Sequence, residues 1–328
     1  MTSDLPLVIV TRQLPQAIID KLSAVATLNI WEEDRAIPQD TLLAWVPGCH
    51  AIYSLLTDPI DSSVLDAAGA NLKVVSQMAV GVDNIDVAAC TARGIPVGHT
   101  PNALTDTTAD LAVALMLAVG RRIAAAAQFV KVGKWDTWRP MELTGKDLYG
   151  STVGIIGFGR IGKAVAQRVR GFDCHILYNH PRSDPDAAQY AAAYVNLDTL
   201  LKSSDFISLH TPLTEETRHM IGAEELAMMK SDAIIVNTAR GAIVDQAALV
   251  KALQEGKIGG AGLDVTDPEP ISVDDPLLKL DNVIVVPHIG SASVTTRMRI
   301  AHMAADNLIA GLHGERLPNV YNPEVYSD

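Results

Sequence analysis

Short apolar runs alternate along this chain with longer stretches of helical spacing. Leu7-Val8-Ile9-Val10 predicts a first strand, and Pro15 to Ala24 follows with a helical pattern. Ala51 to Leu56, Lys73 to Ser76 and Ile95 to Gly98 predict further strands. Unbroken β-branched runs of this kind suit a parallel sheet covered on both faces, because neither face needs polar residues for water. A second series begins after Ser151. Its strand candidates are Thr152–Ile156, His175–Tyr178, Phe206–Leu209, Ala233–Val236, Gly260–Val265 and Val283–Val286. Helices fit between most of them, so six strands in a second doubly wound sheet are expected. The class is α/β, with two parallel-sheet domains.

Between the two series, one long helix is predicted from Leu104 to Val132. Leu111, Val113, Leu115, Met116, Leu117 and Val119 leave its middle apolar nearly all round. A surface helix would keep a polar face, so this one is expected to be buried between domains or subunits. Gly133 ends it. Trp135, Trp138 and Pro140 follow on an irregular arm, which suits either a subunit contact or packing onto the same chain. A last helix is expected from Ser293 to Leu312. The first unit has no helix long enough to cover its sheet edge, so this segment is expected to return to it. The expected division is a domain of residues 1–101 completed by 291–328, and a second domain of residues 102–290.

A chain of 328 residues readily builds two cores. The net charge of −12 repels nucleic acid and anionic lipid, so neither is an expected partner. An anionic ligand then needs its own local positive charge. Cys49, Cys90 and Cys174 are scattered and form no metal-binding or disulfide pattern; small buried residues are expected there, and no metal. The first residues lack a basic n-region and a long apolar stretch, and Leu111 to Gly120 is about half the length that spans a bilayer. A cytoplasmic protein is expected.

The first chemical signal is Gly157-Phe158-Gly159-Arg160-Ile161-Gly162. It follows the strand Thr152–Ile156 and opens a helix at Lys163 to Arg170, the context that gives a GxGxxG loop its meaning. Gly157 permits the tight turn, Gly159 lets backbone approach a pyrophosphate, and Gly162 lets helix and strand pack closely. The helix N-terminus presents N–H groups to the phosphates, and Arg160 adds a charge. This predicts a Rossmann-type dinucleotide domain. The next strand ends Tyr178-Asn179-His180-Pro181-Arg182-Ser183, without the Asp or Glu that would bind ribose hydroxyls. Asn179 is neutral, while His180 and Arg182 can hold a 2′-phosphate. NADP(H) is favoured over NAD(H), although Asp184 and Asp186 lie nearby.

Three later strand ends carry reactive side chains: Asn237-Thr238-Ala239-Arg240-Gly241, Asp264 to Pro270, and Pro287-His288-Ile289-Gly290-Ser291. In a parallel sheet these ends share one edge, so their side chains can converge. Hydride transfer to a carbonyl leaves an alkoxide that needs a proton. His288 can give it, with Glu269 favouring the charged ring, and Arg240 can grip a substrate carboxylate and polarise the carbonyl.

At these residues the sequence resembles the D-isomer-specific 2-hydroxyacid dehydrogenases over nearly its whole length. The resemblance implies Arg240, Glu269 and His288 as the catalytic set. It places Val80 and Gly81, in Val80-Gly81-Val82-Asp83-Asn84-Ile85-Asp86, in a loop whose amides bind the substrate carboxylate. Asp264 matches a contact to the nicotinamide. Thr108, Thr211, Pro212, Thr238, Ala239 and Gly290 match cofactor-lining positions. The chain is most similar to the glyoxylate/hydroxypyruvate reductases of that family. This implies reduction of small 2-oxoacids, a smaller flavodoxin-like substrate domain and a homodimer built through the long helix and its arm. Pro181 departs from relatives that carry a basic residue there. Phosphite and phosphoglycerate dehydrogenases, and dinucleotide-sensing proteins of the same fold, are alternatives. The substrate loop has no lysine, which argues against the phosphite enzymes.

Overall fold

The computed structural model describes residues 5–326. Two compact units make up the chain: one runs to Leu104 and resumes at Ser293, and the other is Thr105–Ala292.

The first unit alternates strand and helix: β1 (Leu7–Val10), α1 (Gln16–Ser23), β2 (Thr27–Ile30), α2 (Gln39–Trp45), β3 (Ala51–Ser54), α3 (Ser62–Ala68), β4 (Val74–Gln77), α4 (Val87–Ala92) and β5 (Val97–Gly98). All pairings are parallel, in the order β2-β1-β3-β4-β5, which is the flavodoxin-like arrangement. The strand β2 was not among the expected ones. Its Thr-Leu-Asn-Ile sequence lies on the sheet edge, only partly buried, so it lacks the continuous apolar signal of β3 and β4. Asp61 and Asp86 cap α3 and α4 by accepting hydrogen bonds from the first-turn amides of Ser63, Val64 and Ala89.

The second unit begins with α5 (Thr105–Gly120) and α6 (Ile123–Lys131). The single helix expected here is two helices, bent by 60° at the break. The Gly120 carbonyl accepts from the Lys146 amide at 2.7 Å rather than from a further helical turn, and Arg122 takes a left-handed φ of 52°. A Cβ on Gly145 would overlap Gly120 O, so the two segments meet backbone to backbone. The helix α5 is buried, but against its own unit: Ala112, Leu115, Met116 and Val119 join the core beneath the sheet. Apolar surface is exposed instead on α6 and the arm, where Ile123, Val130, Trp135, Trp138 and Met141 face outward and Trp138 is 79% exposed. No single helix among the described residues is long and apolar enough to cross a membrane.

The sheet of this unit is built from β6 (Thr152–Ile156), α7 (Arg160–Val169), β7 (His175–Asn179), β8 (Ala192–Tyr194), α8 (Leu197–Ser203), β9 (Phe206–Leu209), α9 (Ala223–Met228), β10 (Ile234–Asn237), α10 (Gln246–Gln254), β11 (Gly260–Leu263) and β12 (Val283–Val285). Seven parallel strands run in the order β12-β11-β10-β9-β6-β7-β8, one more than the six expected. The addition is β8, three residues at the sheet edge with little burial. The chain reverses direction across the sheet between β6 and β9, which opens a crevice at their C-terminal ends. At the opposite edge Asp205 accepts from the Thr152 amide and pairs with Lys146 and Lys230. Burial alone would raise its pKa, but that amide and the two ammonium groups hold it at about 2.

After this unit the chain returns to the first through α11 (Val294–Leu312), capped by Ser293. The helix lies on β3 and β4, with Ala301, Ala304, Ala305 and Leu308 in the core. Small residues let it approach the sheet closely: a Cβ on Gly311 would come within 2.5 Å of Val74 Cβ. Two buried hydroxyls then donate to helix carbonyls, Tyr53 to Ala301 O and Ser76 to Ala304 O.

Candidate active site

The C-terminal ends of the second sheet carry most of the sequence-predicted residues in one row. His288 follows β12, Glu269 follows β11 and Arg240 follows β10, and these three strands are immediate neighbours. Next along the edge come His210-Thr211-Pro212 after β9, the glycine loop after β6, and Asn179–Arg182 at the end of β7. The sequence separations collapse because each strand delivers its next loop to the same edge.

His288 and Glu269 meet directly, Nδ1 to Oε1 at 2.6 Å, and both are partly open to solvent. His288 adopts φ 52°, a left-handed conformation that is uncommon outside glycine. Asp264 holds this turn. Its carbonyl accepts from the His288 amide, and its buried carboxylate accepts from the amides of Ile289 at 2.6 Å and Gly290 at 2.8 Å. Burial pushes the Asp264 carboxyl above its ordinary range, and Glu269 adds to that, while the two amides and the nearby His288 pull it back. Thr108, at the start of α5, donates to Gly290 O at 3.0 Å and braces the same loop.

The Arg240 loop is an Asx-type turn. Asn237 accepts from the Ala239 amide and donates to Arg240 O at 2.8 Å. Asn237 lay outside the expected site residues. An Asn at a strand end, just before Thr238-Ala239-Arg240-Gly241, is the sequence signal that marks it. Gly241 lies against the next loop so closely that a Cβ would overlap Thr266 O. The loops of Arg240 and Glu269 are therefore packed backbone to backbone.

The dinucleotide loop has the shape its glycines predict. Gly157 takes φ 91°, and a Cβ there would strike the His210–Thr211 backbone. Gly159 has open space above it, and a Cβ on Gly162 would overlap Gly157 O. Phe158 is buried and stacked on Tyr178, while Arg160 and Ile161 open α7, whose N-cap Gly159 supplies no side-chain bond to the first amides. Nearby, His210 Nδ1, Thr211 Oγ1 and Thr238 Oγ1 are buried without a protein partner. Desolvation of the partly buried His210 ring pushes its pKa down to about 3 and keeps it neutral. An open glycine cradle, uncapped helix amides and unpartnered polar atoms fit a dinucleotide: its pyrophosphate takes the amides, and its polar edges take the orphaned groups.

At the far end, the Asn179 side chain donates to Val195 O, and His180 Nδ1 accepts from the Phe158 amide at 3.3 Å. That contact folds the ring toward the glycine loop. Asp184 and Asp186 are both engaged by Lys163, at 2.8 and 3.6 Å. Asp184 also receives the Lys163 ammonium's hydrogen bond, which lowers its pKa. Val80 and Gly81 belong to the other unit, in the loop after β4.

A dinucleotide cradle beside a His–Glu pair and an arginine defines a nicotinamide-dependent oxidoreductase. The chain belongs to the D-isomer-specific 2-hydroxyacid dehydrogenase family: the family model described as its NAD binding domain matches residues 113–290. Over 98% of its length the chain is 52% identical to a glyoxylate reductase of Korarchaeum cryptofilum, covering 97% of that protein. Among solved structures it is similar to a glyoxylate reductase from Paecilomyes thermophila, with TM-score 0.87, 33% identity and coverage of 97% and 98%. It is also similar to an NADPH-dependent glyoxylate/hydroxypyruvate reductase from Sinorhizobium meliloti, solved with NADP and malonate. That match has TM-score 0.85, 31% identity and coverage of 98% and 97%.

Proposed function

We propose that this protein reduces small 2-oxoacids to 2-hydroxyacids, glyoxylate to glycolate and hydroxypyruvate to D-glycerate, with NADPH preferred over NADH. The 2.6 Å His288–Glu269 pair carries the reading, because it sets a proton donor at the same sheet edge as the cofactor cradle. The relatives named glyoxylate reductase support the substrate class.

When bound, the nicotinamide supplies the hydride to the substrate carbonyl carbon. His288 then gives its proton to the carbonyl oxygen as the alkoxide forms. Glu269 holds Nδ1 and fixes the ring. Arg240 binds the carboxylate and polarises the carbonyl. In the first unit, the amides of Val80 and Gly81 bind the substrate carboxylate. Thr108, Asp264 and Gly290 shape the nicotinamide end, and Thr211, Pro212, Thr238 and Ala239 line the path to the pyrophosphate.

The preference for NADPH rests on Arg182, since His180 is turned toward the glycine loop. Lys163 offsets the two nearby carboxylates, which would otherwise repel a 2′-phosphate. The decisive experiment is a panel of 2-oxoacids assayed with NADPH and NADH side by side. No turnover on any of them, with tight cofactor binding retained, would remove the enzymatic reading and favour a dinucleotide sensor. In the same assay Arg182→Ala is expected to raise the KM for NADPH about tenfold, the worth of one charge-assisted bond. Equal effects on NADPH and NADH would refute the 2′-phosphate assignment.

The protein is proposed to act as a homodimer. The exposed apolar residues of α6 and the Trp135–Met141 arm make the contact, rather than the buried middle of α5. Sedimentation is expected to give twice the chain mass, and a monomer at micromolar concentration would exclude it.

A further inference from the structure

The loop after β4 makes its own set of backbone bonds, and these determine where its amides point. Thr100 N donates to Ala79 O at 2.9 Å. His99 Nδ1 lies 3.0 Å from Val80 O. A carbonyl oxygen only accepts, so Nδ1 carries the proton. Gln77 Nε2 makes a longer contact of 3.5 Å to Gly81 O and a firm one of 2.6 Å to Asn84 Oδ1. In a trans, planar peptide the C=O and the following N–H point in opposite directions. Each carbonyl drawn to one side therefore turns the next amide to the other. Thr100 directs the Val80 amide in this way, and His99 directs the Gly81 amide.

His99 is itself rigidly placed. Its amide donates to Asn319 O, its carbonyl accepts from Asn307 Nδ2 at 2.9 Å, and the Tyr321 ring packs edge-on at 5.2 Å. A Cβ on Gly98 would come within 2.7 Å of Asn307 Cβ, so β5 and α11 are in close contact beside it. The C-terminal return of the chain thus holds the imidazole, and the imidazole holds the Val80 carbonyl.

We propose that His99 is a positioning residue for the substrate: its Nδ1–H fixes the Val80–Gly81 peptide so that the Gly81 amide faces the incoming carboxylate. The inference rests on the reading of Val80 and Gly81 as the carboxylate loop. His99 itself transfers no proton and touches no reacting atom.

The test compares wild type with His99→Leu and His99→Asn in the full chain. Leucine keeps the bulk and loses the donor. Asparagine places an N–H donor one bond from Cγ, where Nδ1 now lies. With saturating NADPH, His99→Leu is expected to raise the KM for glyoxylate about tenfold with kcat within about threefold, and His99→Asn to restore most of the loss. NADPH affinity and the melting temperature, measured on the same samples, separate this from damage to the fold. Leucine and asparagine variants with the same KM as wild type would overturn the proposal, as would a failure of asparagine to rescue. A second reading needs no turnover: in protein labelled with [15N]glycine, oxalate is expected to shift the Gly81 amide in wild type and His99→Asn but not in His99→Leu. Wild type that shows this shift yet fails to reduce glyoxylate would overturn the assigned reaction and leave the carboxylate loop standing. Equal shifts in all three proteins would overturn the role of His99.

Discussion

Replacing His288 with asparagine is expected to lower kcat for glyoxylate by about 10³-fold, with the dissociation constant for NADPH nearly unchanged. General acid catalysis by a placed side chain contributes roughly 10² to 10⁴ in rate, and asparagine has no proton of suitable acidity to give. The substitution suits the site for a backbone reason as well. His288 sits at φ 52°, and asparagine is among the few residues that accept this region readily. The amides of Ile289 and Gly290 should therefore stay on Asp264, and the loop should keep its form. Alanine lacks that tolerance and would mix loss of the proton donor with a change of the turn. Rapid-mixing measurement of NADPH oxidation in a single turnover, with NADPH binding followed by fluorescence, reads the two effects apart. A variant that retains kcat within about tenfold would show that the proton comes from another group.

The second large effect is expected at Arg240. Arg240→Lys should lower kcat/KM for glyoxylate by about 10²-fold, on the order of 3 kcal/mol of transition-state stabilisation. Lysine keeps the charge but is a point donor. It cannot offer two parallel N–H groups to a carboxylate or reach the carbonyl oxygen in the same pose. Asn237 should keep the main chain of residues 239 and 240 in place, although the change also removes the 2.7 Å bond that the guanidinium donates to Ala239 O. Steady-state kinetics on glyoxylate, with the melting temperature as a check on folding, tests this. A lysine variant within about fivefold of wild type would mean that charge alone suffices, and the bidentate role would be withdrawn.

Both predictions concern residues whose proposed roles are suggested by the chain itself. Arg240, Glu269 and His288 each follow an apolar run that reads as a buried parallel strand, and a strand of that kind ends at a ligand edge. The glycine loop is legible for a similar reason: Gly157 and Gly162 stand where the turn and the helix contact exclude a Cβ. Other features have no local signature. The break between α5 and α6 depends on the Lys146 amide, which comes from a distant segment and takes the Gly120 carbonyl. The edge strands β2 and β8 are short and half exposed, so their pairing is decided by a neighbour and not by their own pattern. His180 reads as a phosphate ligand from its position, yet its ring is directed by the Phe158 amide. His99 reads as an ordinary residue after a strand, and its bond to Val80 O appears only when the chain has folded.

By itself the sequence determined the α/β class, the dinucleotide loop and the positions of the Arg, Glu and His proposed to bind and protonate an oxoacid. These follow from local rules: apolar runs make buried strands, glycines mark forbidden Cβ positions, and titratable side chains follow strand ends. Only the tertiary structure decided that β10, β11 and β12 are neighbours, so that Arg240, Glu269 and His288 share three adjacent loops. It also decided that α5 packs on its own sheet and that α6 carries the exposed apolar face. Strand order and helix docking are settled by contacts between distant segments, and no local pattern encodes which distant segment will supply them.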